Sequence, residues 1–179
     1  MNKFFKKLIC VSFIFFYFFK IEQVESLVPY YYFPTKNNLE REGLSIGKNA
    51  YQLLYFGQYE QGLNLAKLAV KINNTDEKLW LILSEAQLVN NLYKNALISL
   101  NKAQKINPKN SETYILQSNI YLKISKLQNA KTALETALRI ESNNYKAIFQ
   151  LGNILLMENN YAEAIKLFDE SVKIKPDFW

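Results

Sequence analysis

One period dominates this chain. Four segments of 34 residues, 43–76, 77–110, 111–144 and 145–178, align with no insertion. Position 8 of each unit is Ala50, Ser84, Ser118 and Gly152, position 20 is Gly62, Ala96, Ala130 and Ala164, and position 27 is Ala69, Ala103, Ala137 and Ser171. All are small, whereas position 12 is always Leu (Leu54, Leu88, Leu122, Leu156) and position 30 always Ile (Ile72, Ile106, Ile140, Ile174). A period of this length marks a stack of identical supersecondary units, each unable to bury its own apolar face without a neighbour. The small ladders have a steric cause. Where two antiparallel helices approach closely, a large side chain would hold them apart. Positions 8 and 20 are read as the crossing of the two helices of one hairpin, and position 27 as the place where the second helix meets the next hairpin. Trp80, Leu83, Leu100, Tyr121, Leu134, Leu151 and Phe168 are expected to fill the space beside them.

Composition agrees with helices on short connections. The 5 Gly and 4 Pro are too few for a turn-rich all-β fold. The net charge of +6 falls to +4 without the first 26 residues, and the repeats carry no dense Lys/Arg run or aromatic-basic motif, so no nucleic-acid partner is expected. The chain has no His, and its one Cys, Cys10, lies in the N-terminal apolar run. That removes His acid–base chemistry, Cys/His metal sites and any structural disulfide of the repeats. No cofactor and no catalytic residue is expected.

The N-terminus has a different grammar. Lys3, Lys6 and Lys7 precede a largely apolar, uncharged stretch from Leu8 to Phe19, closed by Lys20. As a helix, this stretch would be about 18 Å long, against a bilayer core of about 30 Å. It therefore suits a signal peptide better than a membrane span, with cleavage after Ser26 in Val24-Glu25-Ser26. The alternative is an uncleaved anchor over residues 1–26. Residues 27–42 read as an aromatic leader, because Pro29 and Pro34 disfavour helix in the residue before each.

The repeat resembles the tetratricopeptide repeat family. In the fourth unit Ile148, Leu151, Gly152, Leu155, Tyr161, Ala164, Phe168, Ser171 and Pro176 fall on that family's signature positions. In the second, Trp80, Leu83, Tyr93, Ala96, Ala103 and Pro108 do so, while the first and third units have Asn74 and Ser142 where the terminal Pro should stand. The resemblance implies an all-α fold, a right-handed α-solenoid of about four helix-turn-helix repeats. With its aromatic leader, the chain also resembles exported cyanobacterial repeat proteins. That implies export to a periplasm or thylakoid lumen, or membrane association.

The family likeness further implies a concave groove lined by positions 2, 5, 9, 12 and 13 of each first helix. Here these include Tyr51, Leu54, Tyr55, Leu81, Glu85, Leu88, Ile115, Asn119, Leu122, Lys123, Phe149, Asn153, Leu156 and Met157. Such a surface suits an amphipathic helix or an extended peptide, with the Asn amides pairing to backbone groups. The position-12 leucines read equally as core. The basic clamp with which some family members hold acidic tails is not matched. Gly47, Leu81 or Ile115 stands where its first Lys belongs, and Leu116 and Gln150 stand where Arg belongs; Asn119 and Asn153 alone agree. The expected role is a non-catalytic protein-binding scaffold, with assembly of membrane protein complexes, photosystems among them, as a candidate process. The alternatives are the repeat portion of a longer protein, an enzyme included, and a module self-associating through a C-terminal face around Ile165, Phe168 and Val172.

Overall fold

The computed structural model describes residues 35–178. The expected signal peptide, its cleavage site, the leader as far as Pro34, and Trp179 lie outside the described residues. Within them are eight α-helices and no strand: α1 Lys36–Tyr55, α2 Tyr59–Ile72, α3 Glu77–Val89, α4 Tyr93–Ile106, α5 Ser111–Lys123, α6 Leu127–Ile140, α7 Tyr145–Met157 and α8 Tyr161–Ile174. A short 3₁₀ turn, Pro176–Phe178, follows. The helices α2, α4, α6 and α8 begin 34 residues apart. Consecutive pairs form hairpins, and each second helix packs on the first helix of the next pair. Helix α1 starts at Lys36 rather than at position 43, so the second half of the 27–42 leader is helical. The helix-disfavouring effect of Pro34 ends at the residue before it, and Gly43 lies buried against Asn73 and the Ala69 carbonyl of α2.

The turn inside each hairpin obeys one rule. Gly57, Asn91, Ser125 and Asn159, position 15 of each unit, all have φ near +60° to +76°. The following amide then bonds back across the turn, as in Gln58 N–H to the Leu53 carbonyl and Asn160 N–H to the Leu155 carbonyl, both 2.8 Å. This is the left-handed helix stop that Gly and Asn tolerate best.

Between hairpins, side chains make the turn. The Asn73 side-chain oxygen accepts from the Thr75 N–H at 3.1 Å. Asp76 caps α3 through the Lys78 N–H, Asn110 caps α5 through the Glu112 N–H, and Asn144 caps α7 through the Ala147 N–H. Local side-chain bonds thus replace the terminal Pro that the first and third units lack. The caps also tie the start of each first helix to that of the first helix before it: Asn144, the cap of α7, donates to Ser111 of α5 at 3.2 Å and to Glu141 at 2.8 Å, while Asn110, the cap of α5, donates to Glu77 of α3.

The core follows the small ladders. All twelve residues at positions 8, 20 and 27 are buried. The Ser84 hydroxyl donates to the Ala96 carbonyl at 3.0 Å, a direct contact between positions 8 and 20. A methyl group added at Gly62 would lie 2.6 Å from the Leu54 side chain and 3.2 Å from the Ala50 carbonyl. Leu79, Leu100, Ile120, Leu134 and Ile154 fill the remaining space and are almost wholly buried.

Candidate functional site

The first helices of the third and fourth hairpins, α5 and α7, border a groove of about 620 Å³. Its walls are Glu112, Ile115, Asn119 and Leu122 from α5 and Lys146, Phe149, Gln150, Asn153, Leu156 and Met157 from α7. These residues recur every three or four positions, so one face of each helix supplies them. Leu156 and Met157 are 46% and 62% exposed, and an exposed apolar pair beside two amides is a surface rather than a core. Phe149 forms the floor and is held by a tilted contact with Phe168, ring centroids 5.4 Å apart. Phe168 in turn lies over Gly152, where a Cβ would come within 2.7 Å of its ring. Glycine at that position lets the ring close on the helix and support Phe149.

Six of the residues expected in the groove from sequence therefore converge: Asn119, Leu122, Phe149, Asn153, Leu156 and Met157. Ile115 reaches its edge but is 2% exposed and belongs to the core, packed with Ala130 and Leu134. The others are elsewhere. Tyr51 and Tyr55 lie on α1, exposed, with Tyr55 edge-on to Phe56. Leu81 is half-buried against the core around Leu100. Lys123 is exposed at the end of α5, outside the groove walls. The four position-12 leucines divide. Leu54 is core, at 7% exposure beneath Gly62; Leu88 and Leu122 are half-buried against core clusters; Leu156 opens into the groove. Three wall residues were not anticipated. Glu112 and Lys146 stand at position 2 of their units, and Gln150 stands where the basic clamp would need Arg.

The charges are arranged across units. Lys146 Nζ lies 3.4 Å from Glu112, one full repeat away. Glu85, on α3, is half-buried; burial and then the neighbouring Glu112 carboxylate push its carboxyl above the ordinary range, with Lys146 pulling the other way. Away from the groove, hydrogen bonds from Ser111 (2.6 Å) and Asn144 hold the Glu141 carboxyl below the ordinary range. Among the described residues no group of three or more His, Cys, Asp or Glu side chains could hold a metal ion, and no helix is long and apolar enough to cross a membrane.

Comparison with known proteins agrees with this architecture. Residues 122–178 match the tetratricopeptide repeat family model. No curated protein sequence matches the chain. Among solved structures, MamA is 20% identical with a TM-score of 0.61, covering 79% of this chain and 76% of MamA. PilF of Pseudomonas aeruginosa is 15% identical with a TM-score of 0.68, covering 79% of this chain and 64% of PilF. The first tetratricopeptide domain of Spaghetti (RPAP3), bound to the HSP90 peptide SRMEEVD, is 18% identical with a TM-score of 0.61, covering 67% of this chain and 95% of that domain. At these identities the likeness shows the fold: an all-α helical repeat of the tetratricopeptide type.

Proposed function

We propose that this chain is a non-catalytic scaffold that binds a peptide segment of a partner protein in the groove between α5 and α7. The observation that carries the proposal is the groove's composition: Phe149, Leu156 and Met157 offer apolar surface, and Asn119 and Asn153 stand one repeat apart beside it. An amide side chain both donates and accepts, so this pair can bond the backbone of an extended or helical segment while apolar side chains enter beside Phe149. A likeness in fold to a domain that holds a peptide supports the same reading.

The proposal includes a place of action. The Lys-rich start and the run from Leu8 to Phe19 support export or membrane association, and hence a role in assembling membrane protein complexes, photosystems among the candidates. Self-association through the C-terminal face is a weaker reading. Of its three residues only Ile165 is widely exposed, at 59%, because Phe168 turns onto Gly152.

Selection of peptides from a randomised displayed library against the full chain in mild detergent tests the binding reading. Selected peptides should lose binding to the Phe149→Ser and Met157→Ser variants. Peptides indifferent to both substitutions would remove the groove from the proposal. N-terminal sequencing of protein from its source tests export: a chain starting at Leu27 is expected, and an intact Met1 on protein recovered from the cytoplasm would end that part.

A further inference from the structure

A second recess lies on another face of α5. Tyr114, Gln117 and Tyr121 of α5 and Gln128, Asn129 and Thr132 of α6 line a crease of about 260 Å³, and every residue of its walls is uncharged. The groove takes Glu112, Ile115, Asn119 and Leu122 from α5, so the helical period sets the two recesses on different faces. The repeat supplies an internal comparison. The matching crease of the fourth hairpin, between α7 and α8, has about 290 Å³ and is lined by Leu151, Leu155 and Leu167 beside Lys131, Glu163 and Lys166. Those leucines stand at positions 7, 11 and 23, where the third unit has Gln117, Tyr121 and Ala133. Lys166 stands at position 22, where the third unit has Thr132. The hairpin makes a crease of similar size in both units, and the third fills its walls with amides, hydroxyls and rings.

Several of these groups are held in place. The Tyr114 hydroxyl donates to the Pro108 carbonyl at 3.2 Å. Gln117 accepts from Gln104 at 3.2 Å and donates to the Tyr121 hydroxyl at 3.4 Å. The side-chain amides of Gln128 and Asn129 make no hydrogen bond to a described residue. A charged ligand would lose its water here against walls with no counter-charge. An apolar ligand would cover hydroxyls and amides without pairing them. A ring that carries several hydroxyls and two C–H faces meets neither cost. The amides and hydroxyls both donate and accept, and Tyr114 and Tyr121 add apolar ring surface. The volume lies just below the range of about 300–1,000 Å³ usual for drug-sized ligands, which suits one ring rather than a chain of them. We infer that the crease between α5 and α6 binds a neutral sugar ring, at a site separate from the peptide groove.

Saturation-transfer NMR on the full chain, in a detergent without a sugar head group, tests this. The probes are the methyl glycosides of glucose, galactose, mannose and N-acetylglucosamine, with glucuronic acid and cyclohexanol beside them. At least one neutral glycoside should receive saturation. Gln128→Ala and Asn129→Ala should each weaken its binding about fivefold, the order of one hydrogen bond. Both side chains are exposed, so neither change threatens the fold. Ala133→Leu, which restores the leucine of the fourth unit, should abolish binding, and a thermal melt establishes that this variant is folded. Lys166→Ala, in the matching crease, should change nothing. Saturation of no neutral glycoside would overturn the inference, as would binding that ignores all three crease variants. Equal transfer to cyclohexanol would make the crease an apolar recess and overturn it too. Tighter binding of glucuronic acid would bring in Arg139, which donates to the Thr136 hydroxyl of the wall at 2.9 Å, and would overturn the neutral ligand.

Discussion

Positions 8, 20 and 27 stay small and buried in all four hairpins, whereas positions 2, 5 and 9 differ in size and charge among them. Position 5 reads Gly47, Leu81, Ile115, Phe149, and position 9 reads Tyr51, Glu85, Asn119, Asn153. The first set makes the seam between helices; the second runs along the first helices, where Gly47 and Ile115 are buried and Tyr51 is more open. A seam must be solved the same way in every unit, because each hairpin meets its neighbour through equivalent surfaces. The second set has no such obligation. Its variation is one the stack does not impose, and Asn119, Phe149, Asn153 and Met157 share one groove there.

The largest contrast should come from volume. Ala130→Leu or Ala164→Leu forces a side chain into a crossing with no space and should cost about 1–3 kcal/mol. Asn153→Leu, in the groove, should stay within about 0.5 kcal/mol. Chemical denaturation of the three variants measures this, and equal midpoints would erase the distinction between seam and groove. A middle effect is expected at the caps. Asn144→Ala removes a helix cap and leaves Ser111 and Glu141 short of a partner, at a cost of about 1–2 kcal/mol. Asn119→Ala loses no cap and should leave the melting temperature nearly unchanged. Within the seam, Ser84→Ala should cost about 1 kcal/mol, because its hydroxyl bonds the Ala96 carbonyl. Ser118→Ala should be neutral or stabilising, since the Ser118 hydroxyl is buried with no partner. If the two serines respond alike, their hydrogen bonding does not differ in solution.

The seam was legible in the sequence because steric exclusion acts on one residue at a time: Ala96, Ala130 and Ala164 disclose a close approach without any knowledge of what they touch. The left-handed turn at position 15 was not read from the sequence: Gly57, Asn91 and Asn159 suit it, but Ser125 breaks the pattern. The groove was only partly legible. Its position pattern found Asn119, Phe149, Asn153 and Met157. Burial, however, depends on the size of the neighbour. Leu54 is sealed by Gly62 and Ile115 by Ala130 and Leu134, while Leu156, at the same repeat position as Leu54, stays open. The start of α1 at Lys36 was hidden because residues 36–42 precede the repeat and have no counterpart in the other units.

The smallest effects expected are those of pH, and they should have opposite signs in the two regions. Glu85 binds its proton more tightly in the folded chain than in the unfolded one, first because it is half-buried and second because Glu112 is near. Stability contributed by this residue therefore falls as pH rises from the ordinary carboxyl range through its raised folded value. Glu85→Gln should make the free protein more stable at neutral pH, with the gain vanishing once both forms are protonated in acid. Glu141 is the reverse case. Its hydrogen bonds from Ser111 and Asn144 favour the ionised form, so its contribution is present above the ordinary carboxyl range and is lost as pH falls through its lowered folded value. Glu141→Gln should weaken the protein at neutral pH and match it in strong acid. Because Glu141 is exposed, solvent screens its contribution and the loss should be small. Urea midpoints of both variants across the acid range decide the matter. Opposite signs would separate a carboxylate that serves the stack from one that burdens it. A destabilising Glu85→Gln would mean that Lys146 reaches Glu85 in solution and that this carboxylate also serves the stack.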